Sequence, residues 1–197
     1  MKRILALILT AVLISLLVIP VGTALADKDF HTIRLALSLT TEGEDDGHPL
    51  RNGMVMKTHA EGPNNFYIMS FILNGAMPNT TYDVSWKCWV WGPNIGLPEG
   101  WVDYYDMFLG PFGYSEAYLG HSIQTDKNGN GQLHCKRSPE EVWAMGVIPD
   151  TTLKFQLTFI SDGEVVEVIP GTGILAVDGG DCVFETDVFE AYFDGDW

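Results

Sequence analysis

The chain has 197 residues, 46% of them hydrophobic and 12% aromatic, with 26 acidic against 11 basic residues and a formal charge of −15 at pH 7. That length suits one domain with a real core and is short for two. So acidic a chain, with no basic patch, repels polyanions and excludes nucleic acid as a natural partner.

The first 26 residues read as an export signal. Lys2 and Arg3 give the charged start, Ile4 to Val21 the apolar run, and Ala24-Leu25-Ala26 the small-x-small cleavage pattern before Asp27. The apolar run approaches the length of a bilayer span, so a retained N-terminal anchor is the alternative; Pro20 and the cleavage pattern favour removal. Two of the 11 bases and none of the acids lie in this leader, so residues 27–197 carry nine bases against 26 acids, a formal charge of −17. They are expected outside the cell, as a single domain.

Period-two alternation then dominates. Ile33, Leu35, Leu37 and Leu39 alternate with Arg34, Ala36 and Ser38, and Leu153, Phe155, Leu157 and Phe159 with Lys154, Gln156 and Thr158, the mark of half-buried strands. Residues 65–73 are apolar on both parities, as in a strand covered on both faces. Further strands are expected over 53–59, 80–91, 117–125, 131–137, 164–169, 172–177 and 182–193, with Ser161-Asp162-Gly163 as a hairpin turn. One short connecting helix is expected near 139–145, where Ser138-Pro139-Glu140-Glu141 supplies an N-cap, Pro at N1 and Glu at N3. Many strands at regular spacing and almost no helix predict an all-β chain, a single antiparallel sandwich of immunoglobulin-like or jelly-roll-like type.

Two strand entrances echo each other, Ala76-Met-Pro-Asn-Thr-Thr-Tyr-Asp-Val84 and Val147-Ile-Pro-Asp-Thr-Thr-Leu-Lys-Phe155. Pro fixes φ, Asn or Asp bonds local backbone, and β-branched Thr starts the extended run. Pro78-Asn-Thr80-Thr-Tyr82 resembles the corner before a long strand in immunoglobulin-like and fibronectin type III sandwiches. The resemblance covers about ten residues and implies the architecture and the broad roles of such modules, adhesion and assembly.

Cys88, Cys135 and Cys182 are an odd number for an oxidising compartment, which suggests one disulfide and one spare thiol or an intermolecular bridge. Strand parity points both Cys88 and Cys135 inward, so they are the expected pair. Without a C-x-x-C pattern neither a zinc ribbon nor a thioredoxin-like site is signalled. Asn79-Thr-Thr81 has the form of an N-glycosylation acceptor.

Asp126-Lys-Asn128-Gly-Asn130-Gly131 matches the front half of a calcium loop, but its twelfth position is Arg137 where a bidentate Glu is needed. A Gly/Asn-rich hairpin turn is the preferred reading, and calcium on Asp126, Asn128 and Asn130 the secondary one; no other cofactor is expected. His31, His48, His59, His121 and His134 show no metal-ligand spacing. Gly113-Tyr-Ser115-Glu-Ala117 lacks the second glycine of a nucleophile elbow. Asp103 with Asp106, or Glu185 with Asp187, are the carboxylate pairs available to a hydrolase.

Four tryptophans and two tyrosines crowd into residues 86–105. Parity turns Trp86 inward with Tyr82, Val84 and Cys88, and turns Trp89 and Trp91 outward. Trp89, Trp91, Trp101 and Tyr104 are the candidate binding residues, for sugar stacking or a protein interface, but the preferred expectation is that the 92–116 loop folds over Trp89 and Trp91 into a second small core, since a small sandwich seldom leaves such area wet. The functional expectation is a non-catalytic protein of a cell-surface layer, filament or adhesive assembly, with protein partners or copies of itself. A carbohydrate-binding module is the alternative and a secreted hydrolase the third reading. In a filament, residues 29–39 would add to a neighbour's sheet edge.

Overall fold

A computed structural model of the chain describes residues 30–60, 66–137 and 151–193. The leader, the helix expected over 139–145 and residues 147–150 of the second corner lie outside the described residues. Twelve strands are described: β1 (Phe30–Leu39), β2 (Asn52–Ala60), β3 (Phe66–Asn74), β4 (Thr81–Trp91), β5 (Trp101–Asp103), β6 (Ala117–Gln124), β7 (Gly131–Arg137), β8 (Thr151–Ser161), β9 (Glu164–Glu167), β10 (Leu175–Asp178), β11 (Asp181–Thr186) and β12 (Phe189–Phe193). Two short helices, α1 (Thr41–Asp45) and α2 (Tyr104–Leu109), interrupt them. The fold is all-β, and its ladders are antiparallel.

One curled sheet makes both layers. The first runs β1-β2-β3-β7; in the second, β8 pairs with β4 on one side and with β11 and β12 on the other, while β4 pairs on its far side with β6 and β5. β1 belongs to both layers. Its residues 30–36 pair with β2, and Leu37, Ser38 and Leu39 pair with Thr186, Glu185 and Phe184 of β11. Within this chain, the backbone of β1 thus holds the two layers together.

The core lies between the layers and follows the alternation. Leu153, Phe155, Leu157 and Phe159 of β8 are buried, as are Val84, Trp86, Cys88 and Val90 of β4 and Phe71 and Leu73 of β3. Phe71 meets Phe159 edge-on across the layers with ring centroids 6.0 Å apart, and Trp86 stacks on Phe155 at 5.1 Å. Trp86 thus faces inward as its parity predicts.

Tyr82 secures the corner before β4. Its ring is fully buried against Phe184, 5.1 Å away, and its Oη accepts the Met77 N–H at 3.2 Å. The turn at 125–130 docks on the same corner. The Asp126 carboxylate accepts the N–H groups of Asn128 (2.7 Å) and Asn130 (2.9 Å), and Ala76 N–H bonds the Gly129 carbonyl at 2.9 Å. Gly129 has φ of 76°, and a Cβ there would lie 2.0 Å from the Ala76 carbonyl oxygen, so only glycine fits.

Four expectations need correction. β6 and β7 do not form a hairpin: β6 pairs with β4 and β7 with β3, so the 125–130 turn joins the two layers instead of closing a ladder. Ser161-Asp162-Gly163 is likewise not a hairpin turn, because β9 leaves the sheet and pairs with β10; Asp162, at φ of 57°, takes the left-handed position. The segment 182–193 is two strands, β11 and β12, broken at Asp187-Val188. Finally, no disulfide joins Cys88 to Cys135. Both thiols point into the core, but from opposite layers, Cys88 across from Phe155 and Cys135 across from Met69, and all three cysteines are free. Burial pushes both thiols up and keeps them protonated.

Candidate functional site

The 92–116 segment does not fold over the outward tryptophans. β5 pairs with the end of β4, which sets Trp101 opposite Trp91 and Asp103 opposite Trp89 on the outer face of the sheet. Trp91 and Trp101 meet edge-on with centroids 5.6 Å apart. The Lys154 ammonium sits 4.2 Å over the Trp101 ring and 3.5 Å from the Glu190 carboxylate, so ring, cation and acid stand in series. Trp89 is half-buried in the same row.

Directly after β5 the chain turns inward. The Asp103 carboxylate accepts the Asp106 N–H at 2.9 Å, an N-cap that starts α2. Tyr105 and Leu109 of α2 are buried, Tyr105 with its centroid 6.0 Å from Trp86, so this helix plugs the end of the main core. Burial, with the Cys88 thiol nearby, lifts the Tyr105 phenol well above its ordinary range. Tyr104 packs on Phe108 at 4.6 Å and on Tyr105 at 5.8 Å. The four aromatics expected to act together are therefore divided: Trp89, Trp91 and Trp101 share the outer face, and Tyr104 belongs to the α2 cluster. Leu97, Met107, Phe108 and Phe112 of the same segment are exposed.

Beside α2 lies a cavity of about 460 Å³, lined by Tyr104, Tyr105, Phe108 and Leu109, by residues 117–120 of β6 with Arg137 of β7, and by Ile169 and residues 172–175. It sits where β6 and β7 run side by side without a ladder. The Arg137 guanidinium reaches across that seam to donate to the Leu119 carbonyl at 3.0 Å. The β9–β10 loop is held in place by Glu167, whose carboxylate accepts the N–H groups of Gly173 (2.8 Å) and Gly171 (3.1 Å) and is held below the usual carboxylate range by them. Sequence reading missed this cavity because its walls come from four stretches of the chain, spread from Tyr104 to Leu175, none carrying a local motif.

The remaining candidates do not converge. Asp103 is a helix cap, Glu185 accepts the Gln156 side-chain amide at 3.0 Å, and Asp187 is exposed between strands. Asp126 spends its Oδ1 on backbone N–H groups, which also hold its carboxyl below the ordinary range. His48 faces the Tyr82 hydroxyl at 3.4 Å, His134 the Ser70 hydroxyl at 2.8 Å, and His31 is paired with His59 in backbone register. Among the described residues no group of three or more His, Cys, Asp or Glu is arranged to hold a metal ion. Cys182 lies half-buried near Glu116, Lys87, Glu185 and Glu42; burial first and then the neighbouring acids push its thiol up to about 12. Asn79 is exposed at the corner, with φ of 54°.

No protein-family model matches the chain, and neither the curated proteins nor the solved structures offer a match to it.

Proposed function

We propose that this chain is a non-catalytic module of the cell exterior, part of a surface layer, filament or adhesive assembly, and that it makes its contacts through the 92–116 segment and the adjoining Trp91. One observation carries the reading. Trp91, Leu97, Trp101, Met107, Phe108 and Phe112 are between 36% and 51% exposed, six large apolar side chains within about twenty residues. Aromatic residues and Met are enriched at interfaces, and soluble monomers seldom leave broad apolar patches wet. The leader-like first 26 residues support the location. The Tyr82 corner, with its hydroxyl bonded back to the Met77 N–H, supports kinship in architecture with immunoglobulin-like and fibronectin type III modules, which serve in adhesion and assembly.

Light scattering across a wide concentration range tests it. The average mass of the protein should rise with concentration, and Phe112→Asp should return it to that of a monomer. A monomer at every concentration overturns the proposal.

The exposed Trp91–Trp101 pair favours a second reading, a carbohydrate-binding module with stacking platforms. Lys154 occupies one face of the Trp101 ring, which leaves less stacking surface than two bare rings would offer. Tryptophan fluorescence that ignores a panel of polysaccharides removes this alternative.

A further inference from the structure

We infer that Asn79 carries an N-linked oligosaccharide, an inference that rests on the exterior location proposed above. Of the eight asparagines in the chain only Asn79 stands in an Asn-x-Ser/Thr tripeptide, with Thr80 in the middle and Thr81 supplying the hydroxyl that the motif requires.

The folded corner has room for such a group. Asn79 is exposed at φ of 54°, between the exposed Pro78 and the half-buried Thr80. Asparagine tolerates the left-handed conformation, and the main chain keeps it there, the Asn79 N–H bonding the Asp126 carbonyl at 3.1 Å. The two threonines differ in role. Thr80 is tied into the corner, its N–H donating to the Thr125 hydroxyl at 3.0 Å and its own hydroxyl to the Pro78 carbonyl at 3.3 Å. Thr81 opens β4 opposite Gln124 and is exposed. The bonds that close the corner, Met77 N–H to Tyr82 Oη and Thr125 to Met77 and Thr80, use no atom of the Asn79 side chain, so a sugar on its carboxamide displaces none of them.

The modification is a group transfer. The Asn79 carboxamide nitrogen bonds to the anomeric carbon of an oligosaccharide carried on a polyprenyl phosphate. The bond from that carbon to the phosphate oxygen breaks, the oxygen keeps the electron pair, and the nitrogen gives up one proton. A membrane transferase acting on the chain during export supplies this donor.

Placement gives the glycan a consequence. Thr81 and Trp91 are the two ends of β4, so at about 3.3 Å per residue the sugar stands about 33 Å of strand away from Trp91. A bulky, hydrated group at that end leaves the apolar 92–116 segment bare and directs association to it.

Mass spectrometry of the chain recovered from outside the cells that make it tests the inference. The peptide bearing Asn79 should carry the added mass of an oligosaccharide. Thr81→Val keeps a β-branched residue at the exposed strand start and leaves Asn79 in place, yet should abolish that mass; Thr81→Ser keeps the hydroxyl and should retain it. A bare Asn79 in exported protein, or sugar that survives Thr81→Val, overturns the inference and leaves the exterior location standing. A chain found only inside the cells, its first 26 residues intact, overturns that location and the inference with it.

Discussion

Thr125 shows how much one small side chain can hold. Its hydroxyl donates to the Met77 carbonyl at 2.6 Å and accepts the Thr80 N–H at 3.0 Å, and its own N–H bonds the Thr80 carbonyl at 2.9 Å. The residue is buried, so removing the hydroxyl strands a donor and an acceptor away from water. Thr125→Val, nearly the same in shape, should cost about 1–3 kcal/mol of stability in urea unfolding, the penalty for unsatisfied buried polar groups. A loss within error of zero would mean that water reaches the corner. The local chemistry here was legible beforehand: Asp126, Asn128 and Gly129 announce a turn, and Pro78 to Tyr82 a strand entrance. That the two would dock on each other was not, because the bonds joining them span about 45 residues and leave no periodic trace.

At the scale of elements, long strands with strict alternation, such as β8, were readable because one face must be buried and a slip of one residue would expose it. β5 and α2 were not. Each is too short for a period, and each exists because of its neighbours: Trp101 has Trp91 to pair with, and α2 has the Asp103 cap and the Trp86 surface to cover. The β9–β10 loop is a similar case, set by one carboxylate. Glu167→Gln keeps the size but loses the charge that strengthens the bonds to Gly171 and Gly173, so those two amides should exchange hydrogen faster while β8 keeps its protection. The sign with pH follows from the lowered pKa of Glu167: its contribution is complete above the ordinary carboxylate pKa and fades as pH falls through the lower folded value. Acidification should therefore loosen the loop in the unmodified protein and change little in the variant. Equal exchange in both at neutral pH would show that the loop is held by something else.

For the whole molecule, strand order was the least legible property, since nothing local says that β6 and β7 belong to opposite layers or that β1 joins both. One inward row is not apolar. In β2 the inward row is Gly53, Val55 and Lys57, which puts a cation where alternation of apolar residues would put Met54 and Met56. Lys57 is 7% exposed, lies across from Ile33 and Met69, and has its pKa lowered by burial to about 8. Against an unfolded value near 10.4, that shift costs the fold about 3 kcal/mol wherever the amine is charged in both states. Below pH 8 the full cost is felt. Between pH 8 and about 10.4 the folded state holds fewer protons than the unfolded one, so stability rises with pH, and above that range the cost is gone. Buried phenols and thiols oppose this trend at high pH, because Tyr82, Tyr105 and Cys88 have raised values and lose their contribution as pH climbs. Comparison with Lys57→Met cancels them. The variant should be the more stable by up to about 3 kcal/mol at pH 7, and the gap should shrink towards zero by about pH 10. Urea unfolding of both proteins at the two pH values measures it. A gap that does not change with pH would mean that Lys57 keeps its charge in the core at no cost, and the inward row of β2 would then have to be open to water.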